Sequence, residues 1–153
     1  MTLDKTYSLL TWLSPSFPVG SYSYSHGIEY AVSSGLILDK HTLLLWIKNI
    51  ITSGSGRVDA MLFCETYRAI DNSDGKMTKR LLSIVELGTA MRNTSELTHE
   101  TISMGQAFLD TAISAWPSNT LNHWMAEINE HHLDLAYPTA VALACADRQI
   151  PIE

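Results

Sequence analysis

Apolar residues recur along this chain at helical rather than alternating spacing, and Gly, Pro, Asn and Asp cut the pattern into about eight segments. Asp4 is placed to cap a first helix carrying Leu9, Leu10 and Leu13, which Pro15 and Pro18 end. A second helix runs to about Ser34, with Gly35 as its C-terminal stop. Asp39 caps a third, in which Leu43, Trp46, Ile47 and Ile50 follow the i, i+3, i+4, i+7 rule. Leu44 and Ile51 widen that stripe, so burial on more than one side is expected, and Gly54 and Gly56 close the helix. A fourth helix, about Val58 to Ile70, sets Met61, Leu62 and Glu65 on one side and Phe63, Cys64 and Tyr67 on another. Asp71 to Gly75 is the clearest solvent loop. Helical spacing resumes from Lys76 to Ala115, with an interruption near Asn93 and Thr94, which are better caps than helix interior. Trp116 to Asn119 breaks it again, and a helix with Leu121, Trp124, Met125 and Ile128 follows. Pro138 suits the first turn of a last helix through Ala140 to Arg148. Tyr22 and Tyr24 alternate with serines, but the run is too short and Gly-flanked to be a strand. The predicted class is all-α, a compact bundle of about seven to eight helices.

Composition narrows the function. The 153 residues, 46% apolar and 17% charged, suit a single helical domain spanning residues 1–153. The net charge is -6, and no basic run offers the footprint that nucleic acid requires. No apolar stretch approaches the ~20 residues of a membrane span, and Met1 to Lys5 lacks the pattern of a secretory signal. Cys64 and Cys145 are isolated among apolar neighbours, which reads as two reduced core thiols in a cytoplasmic protein.

Enzyme chemistry finds little support. No phosphate loop, G-x-S-x-G or H-E-x-x-H occurs; Gly54-Ser55-Gly56-Arg57 lacks the loop's lysine. Ser23 or Ser25 with His26 offers a hydrolase reading, against the objection that sequence neighbours rarely meet as nucleophile and base. His123 and Glu127, four apart on a helix, with His131 or His132, offer a metal carrier, since neutral imidazole suits nickel and zinc. Adjacent His131 and His132 would diverge by ~100° on a helix. A solvated polar helix end is the simpler account.

Two blocks stand out. The first, Leu9 to Tyr30, holds Ser14-Pro15-Ser16-Phe17-Pro18-Val19-Gly20 and Ser23-Tyr24-Ser25-His26-Gly27-Ile28-Glu29. Its prolines set an extended turn and Gly20 permits a positive φ. Its serines are placed to satisfy amides at the next helix start, Gly27 to admit a close backbone, and its tyrosines with Phe17 to pack a helix junction. The second, Ala90 to Glu100 followed by Met104-Gly105, steps Arg92, Glu96 and Glu100 along one helix face. Arg92 then pairs with Glu96, and the two acids await a third partner. Gly105 in mid-helix costs about 1 kcal/mol relative to Ala, which close helix approach would explain.

Together these blocks resemble the signature of UreF proteins, S-P-x-x-P-V-G-x-x-S-Y-S-x-G-x-E and A-x-R-x-T-x-E-L-x-x-E then M-G, with a weaker match from Tyr137-Pro138 to Ile150-Pro151. The resemblance implies a helical, non-catalytic urease accessory protein. It would form dimers, bind UreD/UreH, recruit the UreG GTPase and assist delivery of nickel to the urease apoprotein, without a bound cofactor of its own. It nominates Ser14, Pro15, Pro18, Gly20, Tyr24, Ser25, Gly27 and Glu29, and Arg92, Glu96, Glu100, Met104 and Gly105, as partner-binding candidates. UreF chains usually continue past the point matching Glu153 with further apolar helices and a tail implicated in partner binding. The helices present here are therefore expected to leave apolar surface uncovered.

Overall fold

A computed structural model describes residues 2–71 and 78–152. The described residues form eight α-helices and one 3-10 turn joined by loops, with no strand among them. They are α1 (Leu3–Trp12), the 3-10 turn (Ser21–Ser23), α2 (Ile28–Ser33), α3 (Lys40–Thr52), α4 (Ser55–Asp71), α5 (Lys79–Ala90), α6 (Ser95–Ala115), α7 (Asn119–Glu130) and α8 (Tyr137–Asp147). The all-α expectation holds. The expected solvent loop lies, apart from Asp71 at the end of α4, outside the described residues.

α8 is the centre. Every residue from Pro138 to Cys145 is buried, as a helix apolar all round must be. α4 and α6 pack along it, α7 covers it and α5 reaches its start. α4 contributes Leu62, Thr66, Ala69 and Ile70, the i, i+4, i+7 stripe that its spacing prescribes. Across the core, Phe108 of α6 meets the rings of Trp12, Phe17 and Tyr137 at centroid distances of 5.8, 5.4 and 5.9 Å. Lys5 donates to the Gln149 carbonyl and Arg148 to Asp4, so the start of α1 is tied to the end of α8. Cys145 is buried among these helices, which pushes its thiol up to about 12 and leaves it inert; Cys64 is half-buried, and both are free thiols.

Several boundaries follow their caps. Thr94 and Ser118 accept from the backbone amides of Leu97 and Leu121 and open α6 and α7 where the sequence pattern breaks. Asp39 accepts from the Thr42 amide at 2.9 Å, and the Thr42 hydroxyl receives the Asp39 amide in return, a complete capping box. That bond to the Thr42 backbone, then the one from its hydroxyl, holds the Asp39 carboxyl below its ordinary 3.8. A folded value below the unfolded one stabilises α3 above pH 3.8, and the contribution is lost as pH falls through the folded value. The Thr42 amide should therefore titrate by NMR with a midpoint below 3.8, and Asp39→Ala should abolish that transition; a midpoint at or above 3.8 would refute the cap.

Four local expectations need correction. Asp4 does not cap α1: Thr2 occupies that position without a side-chain bond, because Asp4 lies in the first turn and engages Arg148. Gly56 does not close α3 but lies in the first turn of α4, which begins at Ser55; a Cβ there would come within 3.0 Å of the Ile50 carbonyl oxygen. α2 is capped by Gly27 in the left-handed region, not by a serine side chain. Most consequential, α3 has no buried residue. It packs on α4 alone among its principal contacts, and leaves Leu44 55% and Ile51 60% exposed.

Candidate functional site

Both blocks singled out in the sequence reach one cavity of about 360 Å³. It forms where the loop before α2, the end of α3, the start of α4, the α5–α6 turn, α6 and the start of α8 converge. Ile50, Leu97, Met104, Tyr137 and Pro138 supply apolar walls; Asp59, Arg92, Glu100, His26, Ser55 and Thr101 supply the polar groups.

Arg92 explains why the cavity holds its shape. Its side chain is 9% exposed, and it donates to Asp59 at 2.8 Å, fastening the α5–α6 turn to α4. Its Nε finds no acceptor among the described residues. The expected pairing with Glu96 is not formed, because α5 ends at Ala90 and Thr94 restarts the helix. Arg92 thus precedes α6 and shares no helix face with Glu96. Glu96 serves the start of α6 instead: hydrogen bonds from its own amide, then from the Thr94 and Ser95 hydroxyls, hold its carboxyl below the usual value. Glu100, one turn further, lines the cavity.

Gly105 is required by contact. It is buried, and a Cβ on it would overlap the Leu135 carbonyl oxygen and come within 3.2 Å of the Tyr137 amide nitrogen. Gly88 of α5 faces the same segment, where a Cβ would come within 3.2 Å of Ala136 Cβ and Thr139 Oγ1. These two glycines, with the Tyr137 amide donating to Thr101 Oγ1 at 3.1 Å, seat the start of α8 between α5 and α6. Close approach at Gly105 was legible; that it meets the strandless segment before α8 as well as helix was not.

The first block divides. Phe17 and Val19 enter the core, while Pro15, Pro18, Gly20, Gly27 and Glu29 stay at the surface and Ser14 and Ser25 are half-buried. Gly20 and Gly27 take φ of +74° and +78°, which only glycine adopts freely. Gly27 therefore answers to backbone conformation: a Cβ there would meet the Trp46 ring at 3.5 Å and no other backbone. The tyrosines do not pack the junction as expected; Tyr22, Tyr24 and Tyr30 are exposed, Tyr22 completely.

The alternative chemistries fare as follows. His26 has φ +49° and lines the cavity, and no hydrogen bond joins it to Ser25 among the described residues. His123 and Glu127 approach to 3.2 Å on α7, with His131 ending that helix and His132 beyond it at φ +55°. No three His, Cys, Asp or Glu side chains gather as a metal site among the described residues. No helix among them is long and apolar enough to cross a membrane.

Comparison with known proteins gives a family match and many relatives. The UreF family model matches residues 37–153. A urease accessory protein UreF of Rhodopseudomonas palustris (strain TIE-1) is 39% identical over 146 residues, 95% of this chain and 58% of its own length. One from Bradyrhizobium diazoefficiens is 41% identical with the same coverage, and one from Methylobacterium radiotolerans is 38% identical over 89% of this chain and 57% of its own. The chain spans less than two thirds of the curated relatives it matches. They are named as accessory proteins, not as enzymes.

Proposed function

The chain belongs to the UreF family, and from that premise we propose that it acts as an adaptor in urease maturation. In this reading it bridges UreD/UreH and the UreG GTPase in the cytoplasm, works as a homodimer, governs when UreG hydrolyses GTP, and so assists transfer of nickel to the urease apoprotein. Nickel is the cargo of that assembly, and the adaptor's contribution is positional.

The observation that supports an adaptor is the apolar α2–α3 segment. Tyr30, Val32, Leu36, Leu38, Leu44, Leu45 and Ile51 are all exposed, Leu38 to 79%. Monomeric soluble proteins seldom leave so many large apolar side chains in water along one stretch, and such surfaces mark docking sites. Interface cores are built from residues of this kind.

The test is a pull-down with purified UreD/UreH and UreG, light scattering for the dimer, and urease activation as the final readout. Leu44→Lys with Ile51→Lys should keep the helical circular dichroism, since neither side chain is in the core, and should lose capture or dimerisation. Retained capture and an unchanged oligomeric state in that variant would remove α3 from the docking surface. Failure of a full-length UreF-type chain to bind either partner would overturn the adaptor reading itself.

A further inference from the structure

We propose that the cavity between α3, α4, α6 and α8 is an anchor pocket for an arginine side chain projecting from a protein partner. The inference deepens the adaptor reading and rests on it for the partner's presence, but its chemistry stands on the cavity alone.

Charge decides the class of ligand. The cavity holds two carboxylates, Asp59 and Glu100, against one guanidinium. Arg92 donates to Asp59 Oδ1 through one terminal nitrogen, and its side chain is nine-tenths buried; its Nε has no acceptor among the described residues but is fully buried, so it is not presented to a guest. Glu100 has no hydrogen bond or ion pair among the described residues. The open acceptors are thus the Glu100 carboxylate and Asp59 Oδ2, a pair suited to the fork of a second guanidinium.

Shape agrees. Ile50, Leu97, Met104 and Pro138 offer the apolar lining that the methylene stem of a long cationic side chain covers. Tyr137 is held edge-on by Phe108, so its ring is a fixed wall on which a planar guanidinium can stack. About 360 Å³ lies at the small end of ligand pockets, room for one long side chain rather than a folded segment.

The experiment titrates the ¹⁵N-labelled chain with three blocked tripeptides, acetyl-Gly-Arg-Gly-amide, its citrulline counterpart and acetyl-Gly-Glu-Gly-amide. The arginine peptide should shift the amides of Leu97 to Met104 and of Tyr137, and bind at least about fivefold more tightly than citrulline, which has the shape without the charge. Glu100→Gln should erase that preference, while Glu96→Gln, on the same helix at its start, should retain it. Equal binding of arginine and citrulline, tighter binding of the glutamate peptide, or an unaltered preference in Glu100→Gln would overturn the proposal. A full-length UreF-type chain that selects the arginine peptide yet captures neither UreD/UreH nor UreG would refute the adaptor reading and leave the pocket standing.

Discussion

Gly105→Ala is expected to destabilise the protein by up to about 2 kcal/mol, with overpacking at the upper end of roughly 1–3 kcal/mol and the gain in helix propensity returning about 1. The sign turns on what the new methyl group meets. The obstacle is the carbonyl oxygen of Leu135 with the Ala136 and Tyr137 backbone behind it, and backbone cannot rotate away as a side chain can. α6 and the start of α8 must therefore separate, and the Thr101–Tyr137 hydrogen bond lies directly in that seam. Gly88→Ala is the control. Its neighbours are a methyl and a hydroxyl at 3.2 Å, which a slight shift relieves, so the propensity gain should leave it within about 1 kcal/mol of wild type. Urea unfolding followed by circular dichroism measures both. Equal midpoints for the two variants would mean that α8 is seated more loosely than the structure states.

Phe108→Ala should cost more, about 3–5 kcal/mol, as buried Phe truncations do. Phe108 is fully buried, and its ring joins three elements that are distant in sequence: Trp12 of α1, Phe17 of the signature turn and Tyr137 of α8. The resulting cavity lies under the turn, so loss of stability should be accompanied by faster amide exchange at Phe17 and Val19, whose amides bond to the Ser14 and Phe17 carbonyls. Phe108→Leu keeps much of the volume and should recover most of the loss. An unchanged exchange rate at Phe17 in Phe108→Ala would show that the turn holds itself.

Much of the architecture was legible because its causes are local. Thr94 announces its helix, Gly35 a stop, and Pro138 the first turn of α8. Arg92 was misread for a reason of the opposite kind. Four-residue steps to Glu96 and Glu100 imitate a helix face, yet the Thr94 cap between them breaks the register, and the sequence itself offered that signal. Its true partner, Asp59, lies 33 residues away, and no periodicity reports a pairing across elements. α3 taught a third lesson. An apolar stripe specifies that a face wants cover, not whether the same chain supplies it, so Leu44 and Ile51 looked like core and proved to be surface.

The position of α8 has a bearing on how the molecule is made. The helix that α4, α5, α6 and α7 all pack against follows every one of them in sequence. A ribosome will have released α4 and α6 before their common partner is synthesised, and their inner faces then have nothing native to bury against. Growing chains that have not reached Asp147 would carry Leu62, Phe108 and Leu109 exposed, as collapsed and association-prone intermediates rather than a smaller version of the fold. For this protein the rate at which α8 is delivered, and whatever shelters α4 to α7 until then, bears on yield as directly as the stability of the core itself.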